Sequence, residues 1–157
     1  MLFWSNSILS QNITRYDYSG DAAVFANQLK SGHPYLFKLI PEDTFDLLIT
    51  GLKQKAHNIS KEAFTVELFR INAHIADEHT RIAPIDSLIF PMRFEWFDEG
   101  MAVIMTDSLH HQHLFSRLIA IDGHPIAEVL HALSGILKKD NVSFQKFWTA
   151  YYLNRPA

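Results

Sequence analysis

From Ser19 to about Ile75 the apolar positions recur with a helical period. Ser19-Gly20-Asp21 reads as the cap region of a first helix, with Ala22, Phe25, Ala26 and Leu29 at i, i+3, i+4 and i+7. Gly32 suits the residue just past its end, and Pro34 blocks continuation. Pro41 suits the first turn of a second helix, and Glu42 and Asp43 favour its positive end. Phe45, Leu48, Ile49, Leu52 and Ala56 form its inward stripe. After Asn58-Ile59-Ser60, a third helix capped by Ser60 carries Phe64, Leu68, Ile71 and Ile75 on one face. Short connections predict an antiparallel three-helix bundle.

The period then becomes two. Phe90, Met92, Phe94 and Trp96 alternate with Pro91, Arg93, Glu95 and Phe97, and Asp98-Glu99-Gly100 turns the chain into a return strand carrying Met101, Val103 and Met105. A short strand over 117–121 leads through Asp122-Gly123 to a helix opening at Pro125, with Ile126, Val129, Leu130, Leu133 and Leu137 as its stripe. Lys138-Lys139 favour the negative end of that helix. After Asp140-Asn141, Phe144, Phe147, Trp148 and Tyr151 recur at helical spacing, and this aromatic stripe is expected to close the core of the second lobe. The predicted fold is α+β: a helical bundle over 1–84 and a small hairpin-containing α+β lobe over 85–157 with one or two C-terminal helices.

The chain of 157 residues carries 14 basic and 17 acidic side chains, a net charge of −3. With 48% apolar and 20% charged residues it has the composition of a folded domain, which excludes a disordered chain. The charge balance argues against a nucleic-acid partner gripped through its phosphates. Apolar runs of about five residues are far short of the ~20 that a membrane span needs, so no membrane partner is expected. The opening Met1-Leu2-Phe3-Trp4 lacks the basic and apolar regions of a signal peptide. A soluble chain is expected, cytoplasmic or exported with its signal removed. The absence of cysteine removes disulfides, thiolate metal sites and thiol catalysis.

Two segments carry candidate chemistry. Asp107-Ser108-Leu109-His110-His111-Gln112-His113 could ligate a divalent ion through His110, His111 and His113, or could be a solvated loop. Asp77-Glu78-His79-Thr80 ends the third helix. A carboxylate two residues from a histidine can orient an imidazole as a general base, whereas a histidine near a helix C-terminus also simply answers the dipole. His74, one turn earlier, is expected to be a partly buried packing residue. No nucleophile elbow and no glycine-rich phosphate loop is present, and no cofactor is implied. The residues read as scaffold without a complete active site.

The order of these features resembles the region that precedes the catalytic domain in C-terminal processing (tail-specific, tricorn-like) serine peptidases. The resemblance rests on residues 70–80, with Ala76-Asp77-Glu78-His79-Thr80 at their end; on the strand and turn from Ile89 to Ile104; and on Leu114 to Ile126, which is similar to the PDZ-like strand and helix start of that family. It covers roughly residues 20 to 153. It implies a PDZ-like second lobe, a peptide or protein substrate added to a sheet edge near Arg117–Ile121, and His79 as the catalytic base. It also implies a nucleophilic serine in a downstream crotonase-like domain that this chain lacks, so that the chain is inactive alone. The alternatives are a metal-binding protein using His110, His111, His113 and possibly His79, or an interaction module docking through the terminal aromatic stripe.

Overall fold

The computed structural model describes residues 16–83, 89–137 and 141–155. Four helices open the described chain: α1 (Ser19–Gly32), α2 (Leu36–Leu39), α3 (Glu42–Ala56) and α4 (Lys61–Ile75). The predicted stripes are the buried ones. Ala22 and Ala26 of α1, Phe45, Ile49, Leu52 and Ala56 of α3, and Phe64, Ile71 and Ile75 of α4 form one core with Leu36 and Ile40. The one-turn helix α2 was not legible, because four residues are too few to show a period. Ser60 caps α4 as expected, accepting a hydrogen bond from Ala63 N at 3.2 Å.

Several boundary assignments differ. The N-cap of α1 is Tyr18, so Ser19 lies inside the helix, and the carboxylate of Asp17 just ahead accepts from Ser19 N at 2.9 Å. Gly32 is the last helical residue rather than a left-handed stop, and the chain leaves in extended form at His33, φ −87°. The left-handed residue falls instead at Ala76 after α4, φ 55°. His74 is exposed rather than packed, since α4 turns Phe69, Asn72 and Ala73 inward towards the second lobe.

That lobe contains an antiparallel hairpin of β1 (Met92–Phe97) and β2 (Gly100–Thr106), with a bulge between Arg93 and Phe94. Gly100 takes φ 125°, a conformation that only glycine adopts without strain. The segment 115–118 pairs along β2: Val103 N donates to Ser116 O at 3.0 Å and Leu118 N donates to Met101 O at 2.8 Å. The strand predicted over Arg117–Ile121 shortens to β3 (Ala120–Ile121), which pairs with β4 (His124–Pro125) across Asp122-Gly123. Both turn residues have positive φ, the geometry of a type I′ hairpin. Helices α5 (Ile126–Ile136) and α6 (Val142–Tyr152) complete the lobe. Lys138-Lys139 and the opening residues of the chain lie outside the described residues.

The aromatic stripe of α6 does not close the core in the way predicted. The buried residues of α6 are Thr149 and Ala150, and Ala150 joins Phe94, Met101 and Val103 in the second core. A methyl group at that point lets the helix approach β1 closely, while Phe144, Phe147 and Tyr151 stay substantially exposed. Trp148 and Tyr152 turn towards the first lobe, where Tyr152 meets Phe69 edge to face at 5.1 Å. The architecture is therefore mixed α+β, with six helices and two small two-stranded antiparallel sheets among the described residues. No described helix is long and apolar enough to cross a membrane.

Candidate active site

The segment after α4 owes its shape to a local rule and to two distant anchors. Ala76 in the left-handed region stops the helix, its N–H returning to Asn72 O at 3.0 Å. Asp77 then folds the chain back on itself. One carboxylate oxygen, Oδ2, accepts from both the N–H and the hydroxyl of Thr80, each at 2.8 Å. From the first lobe, Asn72 Nδ2 donates to Thr80 O at 3.1 Å. From the second, Tyr152 Oη donates to Ile82 O at 2.6 Å and Asn141 Nδ2 approaches Glu78 Oε2 at 3.5 Å.

This frame presents His79 to solvent, its side chain 86% exposed, with Nδ1 3.7 Å from Asp77 Oδ1. The gap is about 1 Å beyond a hydrogen bond, and such gaps commonly tighten when substrate binds. Behind Asp77 stands a second imidazole, His33, only 11% exposed, with Nε2 3.6 Å from Asp77 Oδ2. Tyr35 N donates to His33 Nδ1 at 3.1 Å, which leaves Nε2 facing the carboxylate. Burial alone would raise the Asp77 carboxyl. The two Thr80 hydrogen bonds and the His33 and His79 imidazoles outweigh it and hold the group below the ordinary carboxylate value. Asp77 is therefore an anion at neutral pH.

Two clefts meet here. One, of about 740 Å³, is lined by the apolar side chains of Phe25, Leu29, Tyr35, Leu39 and Leu68 together with Asp77, His79 and Arg81. The other, of about 420 Å³, runs from His79 and Arg81 to the aromatic face of α6 and Arg155. His79, Arg81 and Ile82 form the wall shared by both.

The histidine-rich segment is arranged differently. Asp107 Oδ1 lies 2.6 Å from His110 Nδ1, and this hydrogen bond holds the Asp107 carboxyl below its usual range. His111 Nδ1 lies 3.2 Å from Ser108 O, and His111 to His113 form one 3-10 turn. Among the described residues no group of three or more His, Asp or Glu side chains is placed to hold a metal ion. His110, His111 and His113 thus do not converge, nor does His79 join them.

Beside Asp77 and His79 the structure places four residues that the sequence did not single out: His33 and Arg155 from distant parts of the chain, and Asn72 and Arg81 from close by. Only Asn72 left a trace, as an amide between Ile71 and Ala73 on an otherwise apolar helix face.

No protein-family model matches the chain, and no curated protein matches it in sequence. Its fold is similar to a crystal structure of CPAF carrying a serine-to-alanine mutation, with a TM-score of 0.62 and 15% identity. The match covers 88% of this chain and 27% of the solved one, so the chain spans about a quarter of that neighbour's length.

Proposed function

We propose that this chain is the pre-catalytic portion of a serine peptidase of the C-terminal processing family, which holds peptide substrate beside His79. A nucleophilic serine comes from a crotonase-like domain outside these 157 residues. The observation that carries the reading is His79 standing at the wall shared by two clefts, with an ionised carboxylate behind its Nδ1. The fold likeness to CPAF, a serine protease, supports it at the level of architecture.

In this reading Nε2 of His79 takes the proton of the serine hydroxyl as the oxygen attacks the scissile carbonyl, then delivers it to the leaving amine. Asp77 steadies the imidazolium that forms, and His33 and Thr80 hold Asp77 in place. The apolar cleft receives a side chain of the peptide. The PDZ-like reading of the second lobe supplies a weaker platform for peptide, because 115–118 already pairs with β2 and 120–121 with β4.

The test uses the isolated chain with an unstructured peptide and a fluorophosphonate probe. The expected result is intact peptide and an unlabelled protein. Hydrolysis that copurifies with the chain and disappears on replacing one of its own serines by alanine would overturn the reading.

A further inference from the structure

The smaller cleft has a chemistry that the proposed mechanism does not use. Among the described residues, the lining side chains with a fixed polar role, Arg81, Arg155 and Trp148, are donors or cations. Arg81 and Arg155 contribute two guanidiniums, and no acidic side chain among the described residues lines the hollow. Among the described residues neither arginine has an ion-pair partner. Glu78, the nearest carboxylate in sequence, is engaged by Asn141 instead.

Each guanidinium lies over an aromatic ring, Arg81 Cζ 5.2 Å from the Trp148 centroid and Arg155 Cζ 4.3 Å from that of Tyr151. Stacking satisfies the face of a guanidinium and leaves its N–H edges for an acceptor in the plane. Two donors here, Trp148 Nε1 and Arg155 Nε, are buried without a hydrogen-bond partner among the described residues. Orphaned buried donors are costly, and in native proteins they usually mark a missing acceptor.

We infer that this hollow between residues 79–83 and α6 is a binding site for a carboxylate carried by a peptide. A carboxylate is planar, matches the N–H edge of a guanidinium in bidentate fashion, and fits between aromatic walls. Cation–π stacking fixes both arginines before the ligand arrives, so little side-chain freedom remains to be lost on binding. The site stands on its own donor set and does not require the peptidase reading. If that reading holds as well, a peptide lying across His79 places an apolar side chain in the larger cleft and its acidic group in the smaller one.

The test titrates three short apolar peptides, alike except for where a carboxylate is placed, into the ¹⁵N-labelled 157-residue chain. One has a free C-terminus, one an amidated C-terminus, and one an amidated C-terminus with an internal glutamate. Inorganic phosphate is titrated separately. The indole cross-peak of Trp148 and the Nε–H cross-peaks of Arg81 and Arg155 report occupancy. At least one carboxylate peptide is expected to move all three, and the two carboxylate arms tell an α-carboxylate from a side-chain one. Arg81→Gln and Arg155→Gln are each expected to weaken binding about tenfold, with Arg81→Lys intermediate because it keeps charge but loses the stack. Thermal melts matching the parent chain show that the variants are folded.

Equal binding of the doubly neutral peptide, unchanged affinity in both Gln variants, phosphate in preference to any carboxylate, or no shift at all would each overturn the assignment. Because no bond is cleaved in this experiment, failure of the site and failure of the peptidase reading are seen separately.

Discussion

Replacing Asp77 by alanine removes the acceptor that folds residues 77–80 back on themselves. Two hydrogen bonds from Thr80 are lost, both at 2.8 Å and both to a carboxylate that is 22% exposed. Hydrogen bonds to charged groups contribute about 1.5–3 kcal/mol each when well buried. Water can reach part of this site, so the lower figure applies, and the combined loss is expected to be about 2–3 kcal/mol. For a chain of this size that lowers Tm by roughly 4–12 °C. Asp77→Asn keeps one acceptor oxygen and is expected to lose about half as much.

The pH dependence gives a sharper signature. The folded-state carboxyl of Asp77 lies below its ordinary value of 3.8. Its contribution to stability is therefore complete above the unfolded value and disappears as pH falls through the lowered folded one. Urea unfolding of parent and Asp77→Ala chains between neutral and acid pH is the assay. The gap between the two should be full at neutral pH and close on the acid side of 3.8. A gap below about 0.5 kcal/mol at neutral pH, or one that persists undiminished in acid, would refute the role given to this carboxylate.

Further outcomes follow from the backbone and the cores. Ala76→Gly relieves a left-handed alanine at φ 55° and is expected to stabilise the chain by about 0.5–1 kcal/mol in the same assay. Gly100→Ala places a Cβ at φ 125° and 3.1 Å from the Arg117 side chain, with an expected loss of about 1–3 kcal/mol. Phe45→Ala empties a fully buried position of the helical core and is expected to cost about 3–5 kcal/mol. Asn72→Ala removes the hydrogen bond from Asn72 Nδ2 to Thr80 O, and amide exchange at residues 77–82 should quicken relative to the centre of α3.

The helices α1 and α3 and the hairpin were legible because each buries one face, and a single buried face leaves its period in the sequence; α4 was legible through the face that carries Phe64, Ile71 and Ile75. Phe45, Ile49 and Leu52, like Phe94 and Val103, are where the pattern puts them. The pattern misled where an element touches two neighbours at once. Helix α4 buries Ile71 and Ile75 in one core while turning Phe69 and Asn72 to the other lobe, so its second face looked like noise. On α6, size and hydrophobicity pointed to Phe144, Phe147 and Tyr151, yet close packing on β1 selected the small Ala150. At the site, Asp77 and His79 are neighbours in sequence and could be paired by inspection. His33 and Arg155 reach it from 44 and 78 residues away from Asp77, a proximity that no local pattern encodes.

The most direct measurement of the central claim is a map of backbone amide shifts on the 157-residue chain as an unstructured peptide is added. Residues 33–35, 77–82 and the end of α6 from Trp148 are predicted to move together and saturably, with the His79 ring signals among them. Shifts confined to 117–121 and α5, or to the histidine-rich turn at 110–113, would contradict the account.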